Sequence, residues 1–144
     1  MQVSVLLQTK GTDVVSVAPD ATISQVATVL TDHRIGAVVV AAEDADLLGI
    51  LSERDIVAAL ALRGAEVLAE PASTLMSRRL VTCQPDTTVD ELMSTMTERR
   101  IRHVPVVVDG ALAGLVSIGD VVKHHIATLE QESQAMHDYI ARPY

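Results

Sequence analysis

The hydrophobic positions of the chain change their spacing in a regular order. Short stretches rich in Val and Ile, typical of strands, alternate with stretches whose apolar residues recur every three or four positions, as on one face of a helix. Strands are predicted over residues 36–41 and 47–51, and again over 103–108 and 111–116. The polar residues inside each pair indicate a hairpin or another short connection.

A helix should precede each strand pair, opened by a capping box. In a capping box, the side chains of the N-cap residue and of the residue three positions later bind each other's backbone N–H groups. Thr22 with Gln25 fits this pattern, and so does Thr88 with Glu91. Apolar residues then recur at helical spacing: Ile23, Val26, Ala27 and Leu30 in the first helix, and Val89, Leu92, Met93 and Met96 in the second.

Another helix is predicted after each strand pair. These helices begin at Ser52 and Ser117, and the first ends at Gly64 while the second continues toward Tyr139. A short strand is also predicted ahead of each capping box, within residues 14–17 and 80–83, and a short helix within residues 1–11 would lead into the first of them.

The two halves of the chain are copies of one unit. Residues 14–20 match 80–86, residues 34–40 match 100–106, and GILSERDIV at 49–57 returns as GLVSIGDVV at 114–122. The offset is about 66 residues and falls to about 65 in the polar loop 43–46, where a change of length costs little. Each copy therefore has the order β-α-β-β-α.

This order predicts an α/β (α+β) fold made of two β-α-β-β-α repeats. Residues 1–68 would hold the first repeat with an N-terminal segment, and residues 69–144 the second repeat with an extended C-terminal helix. Hydrophobic residues make up 49% of the chain, enough for a core. Because neither repeat is expected to bury its sheet alone, the two should pack about a pseudo-twofold axis.

Composition narrows the classes of function. The formal net charge is −8 and the chain contains no Trp or Phe, so neither duplex binding through a basic face nor base stacking on aromatic rings is expected. No apolar run approaches the roughly 20 residues of a membrane span, and no signal sequence begins the chain. The single Cys83 fits a reducing compartment, so a cytoplasmic protein is expected. No attached catalytic or membrane domain is expected either.

The repeated serine and aspartate are the candidate chemistry. Capping alone explains Ser-x-x-Asp at a helix start, because serine is a good N-cap and aspartate favours the helix dipole. The same groups also suit a nucleotide: free N–H groups and a hydroxyl can bind phosphate, and a carboxylate can accept hydrogen bonds from a ribose diol. The glycine ahead of each serine leaves room for a close approach to the strand, and the aliphatic strands could enclose adenine.

With these residues the chain resembles a tandem pair of CBS (cystathionine-β-synthase) domains. The resemblance rests on residues 36–40 with 49–55 and on residues 102–107 with 114–120, and it covers roughly residues 14–126. It implies a regulatory module, not an enzyme, that binds an adenosine nucleotide between the copies: AMP above all, or ATP, ADP, NADH or S-adenosylmethionine. It also implies a homodimer formed through helices and an unidentified regulated protein as partner.

The resemblance places the site residues in two clefts. One cleft would combine Ser117 and Asp120 with residues of the first copy: Thr22, Gly36, Ala37 and Val38. The other would combine Ser52 and Asp55 with Arg102, His103, Val104 and Pro105. Arg54, Arg102 and His103 would contact phosphate, because guanidinium groups suit phosphate oxygens. The first cleft should be roomier for a base and the second better for charge.

The alternatives to nucleotide binding are an interaction module, a metal site and a nucleophilic enzyme. A dimerisation or protein-interaction module with a vestigial nucleotide cleft shares the same fold and stays open. A metal site is not expected, because the adjacent His124 and His125 would point about 100° apart on a helix. Nucleophilic catalysis is not expected either, since Ser52 lies outside a Gly-x-Ser-x-Gly motif.

Overall fold

The computed structural model describes residues 1–43 and 46–142. Residues 44 and 45, in the loop where the repeat offset changes, lie outside the described residues, as do residues 143 and 144. The helices are α1 (Val3–Lys10), α2 (Ile23–His33), α3 (Glu53–Arg63), α4 (Ala72–Leu75), α5 (Val89–Arg99) and α6 (Ile118–Ile140), with a 3-10 helix at Ala65–Ala69. The strands are β1 (Ser16–Val17), β2 (Ala37–Ala41), β3 (Leu47–Ser52), β4 (His103–Val108) and β5 (Ala111–Ser117).

The predicted helix starts and strand pairs are confirmed. In α2 the Thr22 hydroxyl accepts from the Gln25 N–H at 3.2 Å, and the Gln25 side chain accepts from the Thr22 N–H at 2.9 Å. Thr88 and Glu91 do the same at the start of α5. Gly64 ends α3 with a φ of 79°, a conformation that favours glycine. These elements form from local sequence signals.

The strands of each copy form a small sheet. β1 pairs in parallel with β2, which pairs antiparallel with β3, and β4 pairs antiparallel with β5. The strand predicted over residues 80–83 is wrong, because Cys83 makes only an isolated parallel bridge to β4. Pro105 explains the loss: it takes the place of Val39, whose N–H donates to the Val15 carbonyl at 3.2 Å, and proline has no N–H to extend a ladder.

Both faces of β2 are buried. Val38 and Val40 pack in the core of the first copy with α2 and α3. Ala37 and Val39 point the other way, into a cluster that also holds Leu115 of the second copy. A strand covered on both sides reads as a continuous apolar run, which accounts for the sequence AVVVA. The two copies therefore share a core at the faces of their strands.

The segment that precedes each copy packs on the other copy. α1 lies in the core of the second copy, where its Val3 N–H donates to the Thr87 carbonyl at 2.8 Å. The segment containing α4 packs on the first copy, where the Glu70 carbonyl accepts from the Ile23 N–H at 2.9 Å. This exchange joins the copies through their backbones as well as through their shared core.

Candidate functional site

The Ser-x-x-Asp motifs are capping boxes with matching geometry. The backbone N–H and the hydroxyl of Ser52 both donate to Oδ2 of Asp55 at 2.9 Å. The corresponding distances from Ser117 to Oδ2 of Asp120 are 2.8 and 2.9 Å. Among the described residues, Oδ1 of Asp55 has no hydrogen-bond partner, although the side chain is only partly exposed. Capping thus uses one oxygen of each carboxylate, and in both aspartates Oδ1 has no hydrogen-bond partner among the described residues.

Asp55 lines a cavity of about 220 Å³ between the two copies. We call this cavity the Asp55 cleft. Its residues come from the starts of β2, β4 and α3 and from the chain that leads into the second copy. They are Gly36, Ile50, Ser52, Glu53, Arg54, Asp55, Ser77, Arg79, Leu80, Val81, Arg100, Ile101, Arg102 and His103.

Six of the thirteen predicted site residues line the Asp55 cleft. It contains Gly36, Ser52, Arg54, Asp55, Arg102 and His103. The other predicted residues are not among its lining: Thr22, Ala37, Val38, Val104, Pro105, Ser117 and Asp120.

The reasons why residues fall outside the cleft are visible in the fold. Thr22 caps α2 and bridges Pro71. Val38 and Val104 are fully buried in the cores beneath the helices, so their side chains face away from the boundary between the copies. Only their backbone groups could reach a ligand at that boundary.

Positive charge is concentrated in the Asp55 cleft. Four arginines line it against the two carboxylates of Glu53 and Asp55, whereas the whole chain carries a net charge of −8. Sequence reasoning missed two of the arginines, Arg79 and Arg100. Arg100 had one available signal, its match with Arg34 in the repeat; both adopt the left-handed conformation that ends a helix, with φ of 54° and 53°.

His103 lies at the junction of the two copies. A Cβ added to Gly36 would lie 3.4 Å from Cε1 of His103, so the glycine lets the imidazole pack closely against β2. Burial lowers the pKa of His103 below its usual value, and the nearby Lys10 ammonium lowers it further, while Asp120 and Glu53 oppose both effects. The imidazole is therefore mainly neutral at pH 7, and it lies within electrostatic reach of Asp120 in the second copy and Glu53 in the first.

The carboxylate of Asp120 is already paired. Nζ of Lys10, at the end of α1, lies 2.5 Å from Oδ2 of Asp120 and donates to the Leu115 carbonyl at 2.6 Å. Burial raises the pKa of Asp120, but hydrogen bonds from Lys10 and from the Ser117 backbone outweigh it and hold the pKa below its usual value. The two motifs are alike in sequence and unlike in their surroundings.

The motif glycines make room for the protein itself, which corrects their assignment to a ligand. A Cβ on Gly49 would lie 2.8 Å from Sδ of Met76 and 2.8 Å from the Ser77 carbonyl oxygen. A Cβ on Gly114 would lie 2.8 Å from Cδ2 of Leu7. In each copy the exchanged segment packs against the motif glycine.

Two further features concern metal binding and membrane insertion. Within residues 1–43 and 46–142, no group of three or more His, Cys, Asp and Glu side chains is arranged to hold a metal ion. Over the same residues, no helix is both long and apolar enough to cross a membrane.

Several solved structures are similar to the chain. A CBS-domain-containing protein from Agrobacterium tumefaciens, ATU1752, is 50% identical, with a TM-score of 0.85 over 87% of this chain and 99% of that one. PAE2072 from Pyrobaculum aerophilum, solved in complex with AMP, is 35% identical, with a TM-score of 0.73 over 83% and 89%. The CBS pair of MJ0100, solved with 5′-methylthioadenosine and S-adenosylmethionine, is 25% identical, with a TM-score of 0.79 over 89% and 98%.

Sequence comparison agrees with the structures. The mitochondrial CBS-domain-containing protein CBSX3 of Arabidopsis thaliana is 35% identical over 129 residues, which are 87% of this chain and 63% of the plant protein. The chain thus spans less than two thirds of that relative's length. The profile of the CBS domain matches twice, at residues 9–62 and 72–126. The chain belongs to the CBS domain family, with two CBS domains in tandem.

Proposed function

We propose that the Asp55 cleft binds an adenosine nucleotide and that the chain acts as a regulatory module rather than as an enzyme. The observation that carries the proposal is the pairing, in one cavity, of a free carboxylate oxygen on Asp55 with four arginines, one on the same helix and three from the connecting chain and the second copy. The carboxylate can accept hydrogen bonds from the ribose hydroxyls, and guanidinium groups can bind phosphate oxygens.

The walls of the cleft support a purine as the base. Ile50, Leu80, Val81 and Ile101 line it with aliphatic surface, and the residues that form it include no Phe, Tyr or Trp. A flat heteroaromatic base can be enclosed by such side chains and read by backbone groups. The complexes of PAE2072 with AMP and of MJ0100 with methylthioadenosine and S-adenosylmethionine support the adenosine class.

Size and charge favour AMP within that class. The cavity of about 220 Å³ is smaller than the roughly 300–1,000 Å³ of common ligand pockets, which argues against a dinucleotide such as NADH. The excess of arginine over carboxylate disfavours the sulfonium cation of S-adenosylmethionine and favours a phosphate. ADP and ATP would extend their additional phosphates out of the cleft.

A regulatory role follows from where the ligand would sit. The Asp55 cleft takes Ser52 from the first copy and Arg102 from the second, so a bound nucleotide would contact both copies. A ligand that binds one arrangement of the copies more tightly than another shifts the chain toward that arrangement. A partner protein that distinguishes the two arrangements would then respond to the nucleotide.

Ligand-dependent thermal unfolding tests this proposal. AMP at 100 times its dissociation constant should stabilise the protein by about 2.7 kcal/mol, with smaller effects from S-adenosylmethionine and NADH. Asp55→Ala should abolish the AMP effect, whereas Asp90→Ala, an exposed aspartate in the first turn of α5, should retain it. Equal AMP effects in the two variants would contradict the role given to Asp55.

A specific observation also favours self-association through α6. A stripe of apolar side chains along this helix follows the alternating spacing of four and three that marks a coiled-coil seam, with the polar Ser133 at one seam position. Their exposed fractions lie between 47% and 76%: Val122, Ile126, Leu129, Met136 and Ile140. If the helices run parallel, an Ile at one seam position and a Leu at the next favour a two-stranded assembly. We therefore propose a homodimer in which α6 packs against α6 of a second copy.

The charges beside the seam fit the same arrangement. In a parallel pair, residues five apart on opposite helices face each other across the seam. This would place His125 opposite Glu130 and Glu132 opposite His137, so that imidazole N–H groups can donate to carboxylates. This hydrogen-bonding complementarity supports a second copy of this chain as the occupant of the exposed face.

Sedimentation tests the dimer. Replacing Ile126 and Leu129 together by Glu should convert the dimer to a monomer, because buried unpaired carboxylates are costly. Gln131→Glu, on the opposite side of the same helix, should leave the dimer intact. A wild-type monomer at micromolar concentration, or a double variant that still forms a dimer, would contradict the assignment of α6.

A further inference from the structure

We propose that Lys10 is a specificity-determining residue: it occupies the Asp120 site, so that each chain binds a single adenosine nucleotide, at Asp55. The Asp120 site is defined as the carboxylate of Asp120 with the carbonyl oxygen of Leu115. This inference rests on the proposed function, because it concerns which of the two repeated motifs receives the ligand.

The first argument is the contact itself. Nζ of Lys10 lies 2.5 Å from Oδ2 of Asp120 and 2.6 Å from the Leu115 carbonyl oxygen. The ammonium binds Oδ2, the oxygen that also accepts from Ser117, and lies beside the carboxylate where a ribose would have to approach. The ammonium also neutralises the carboxylate that would attract the ribose hydroxyls. A nucleotide could enter only by displacing a charged and hydrogen-bonded side chain.

The second argument is the comparison with the first copy. There the carbonyl of Ile50, which corresponds to Leu115, accepts from the backbone N–H of Ser77 at 2.8 Å. That contact involves only backbone atoms, and no salt bridge to Asp55 is found among the described residues. The same acceptor is thus satisfied by a backbone group in one copy and by a lysine in the other, and only the lysine reaches the aspartate.

The third argument is that α1 is held in place. Val3, Leu6 and Leu7 are buried in the core of the second copy, with exposed fractions of 0%, 6% and 6%. Leu7 packs on Gly114, one helical turn before Lys10. The buried face of the helix therefore fixes the position from which the partly exposed Lys10 side chain reaches Asp120.

Binding stoichiometry measured by titration calorimetry with AMP tests this inference. The wild-type chain should bind one AMP. Lys10→Met keeps an unbranched chain of similar length but removes the charge, and it should raise the stoichiometry to two. Gln8→Met, an exposed position on the same helix, is the matched control and should still bind one.

A double variant separates this inference from the proposed function. Asp55→Ala combined with Lys10→Met should bind one AMP, and adding Asp120→Ala should remove it. Circular dichroism should show that each variant retains the fold. Two AMP molecules on the wild-type chain, or no second site after the loss of Lys10 from a folded chain, would overturn the role of Lys10. Failure of AMP to bind at Asp55 would overturn the proposed function, while binding in the double variant would still support the inference.

Discussion

Replacing the motif glycines by alanine should destabilise the two copies unequally. Gly49 and Gly114 lie at the same place in β3 and β5, and each faces the exchanged segment. A methyl group on Gly49 would meet the backbone carbonyl oxygen of Ser77 at 2.8 Å, in addition to Met76. A methyl group on Gly114 would meet only the tip of Leu7 in its immediate surroundings, at 2.8 and 3.2 Å. A side-chain tip can rotate, whereas a backbone carbonyl must move with its segment.

The size of each effect follows from these contacts. Overpacking a core costs about 1–3 kcal/mol. In Gly49→Ala the displaced Ser77 also weakens two backbone hydrogen bonds with Ile50, of 2.8 and 3.1 Å, each contributing about 0.5–1.5 kcal/mol. Loss of glycine flexibility in the unfolded chain offsets about 0.4–1 kcal/mol. We expect a net loss of about 2–3 kcal/mol for Gly49→Ala and about 1 kcal/mol for Gly114→Ala.

Thermal unfolding makes the comparison measurable. With an unfolding entropy of about 2.1 cal/mol/K per residue, 1 kcal/mol corresponds to about 3 °C in this chain. Tm should therefore fall by about 7–10 °C for Gly49→Ala and by about 3 °C for Gly114→Ala. Ser77 and the residues that follow it line the Asp55 cleft, so Gly49→Ala should also weaken AMP binding. Equal losses of Tm, or unchanged AMP affinity in Gly49→Ala, would refute the assignment of these glycines to segment packing.

Three further outcomes are expected. Burial raises the pKa of Cys83 to about 11, so iodoacetamide should alkylate the native protein at pH 8 far more slowly than the urea-unfolded protein. The pKa of His103 is lowered in the folded protein, so the unfolded chain binds its proton at a higher pH than the folded chain does. The free energy of unfolding, measured by urea titration, should therefore fall as the pH is lowered from 7.5 to 5.5. The fall should be smaller in His103→Gln. Thr22→Ala removes the N-cap of α2 and should lower the free energy of unfolding by about 1 kcal/mol, with Thr28→Ala on the same helix as the control.

Local signals predicted most of the fold. A capping box such as Thr22 with Gln25 involves residues three apart, and a strand pair with a short connection is equally local, so both can be inferred from spacing alone. The failed strand at residues 80–83 had its cause in the sequence as well. Pro105 lies in the segment that matches residues 34–40, but its missing N–H acts on a segment more than 20 residues earlier, and only the pairing reveals which N–H is needed.

Long-range placement accounts for what the sequence could not predict. The helix within residues 1–11 was expected, but its docking on the second copy was not, because neither its pattern nor its length names a partner. The Lys10–Asp120 contact joins residues 110 positions apart. Arg79 enters the Asp55 cleft only because the connecting chain crosses the boundary between the copies. Pairs of this kind depend on how the repeats exchange their leading segments.

The inequality of the two sites arises from that exchange. Both leading segments place an aliphatic side chain on a motif glycine, Met76 in one copy and Leu7 in the other. α4 then ends, and the chain becomes extended along the Asp55 cleft, whereas α1 continues for another turn and brings Lys10 to Asp120. One segment thus becomes the wall of a site, and the other fills it.

His103 connects the two environments electrostatically. It lines the Asp55 cleft, and its charge state responds to the Lys10 ammonium on the other side. A phosphate bound beside it would favour the protonated imidazole, because an opposite charge stabilises the cation. A cation at this position would repel Lys10 and weaken its hold on Asp120. The charge of His103 would thereby couple occupation of the Asp55 cleft to the Lys10–Asp120 contact.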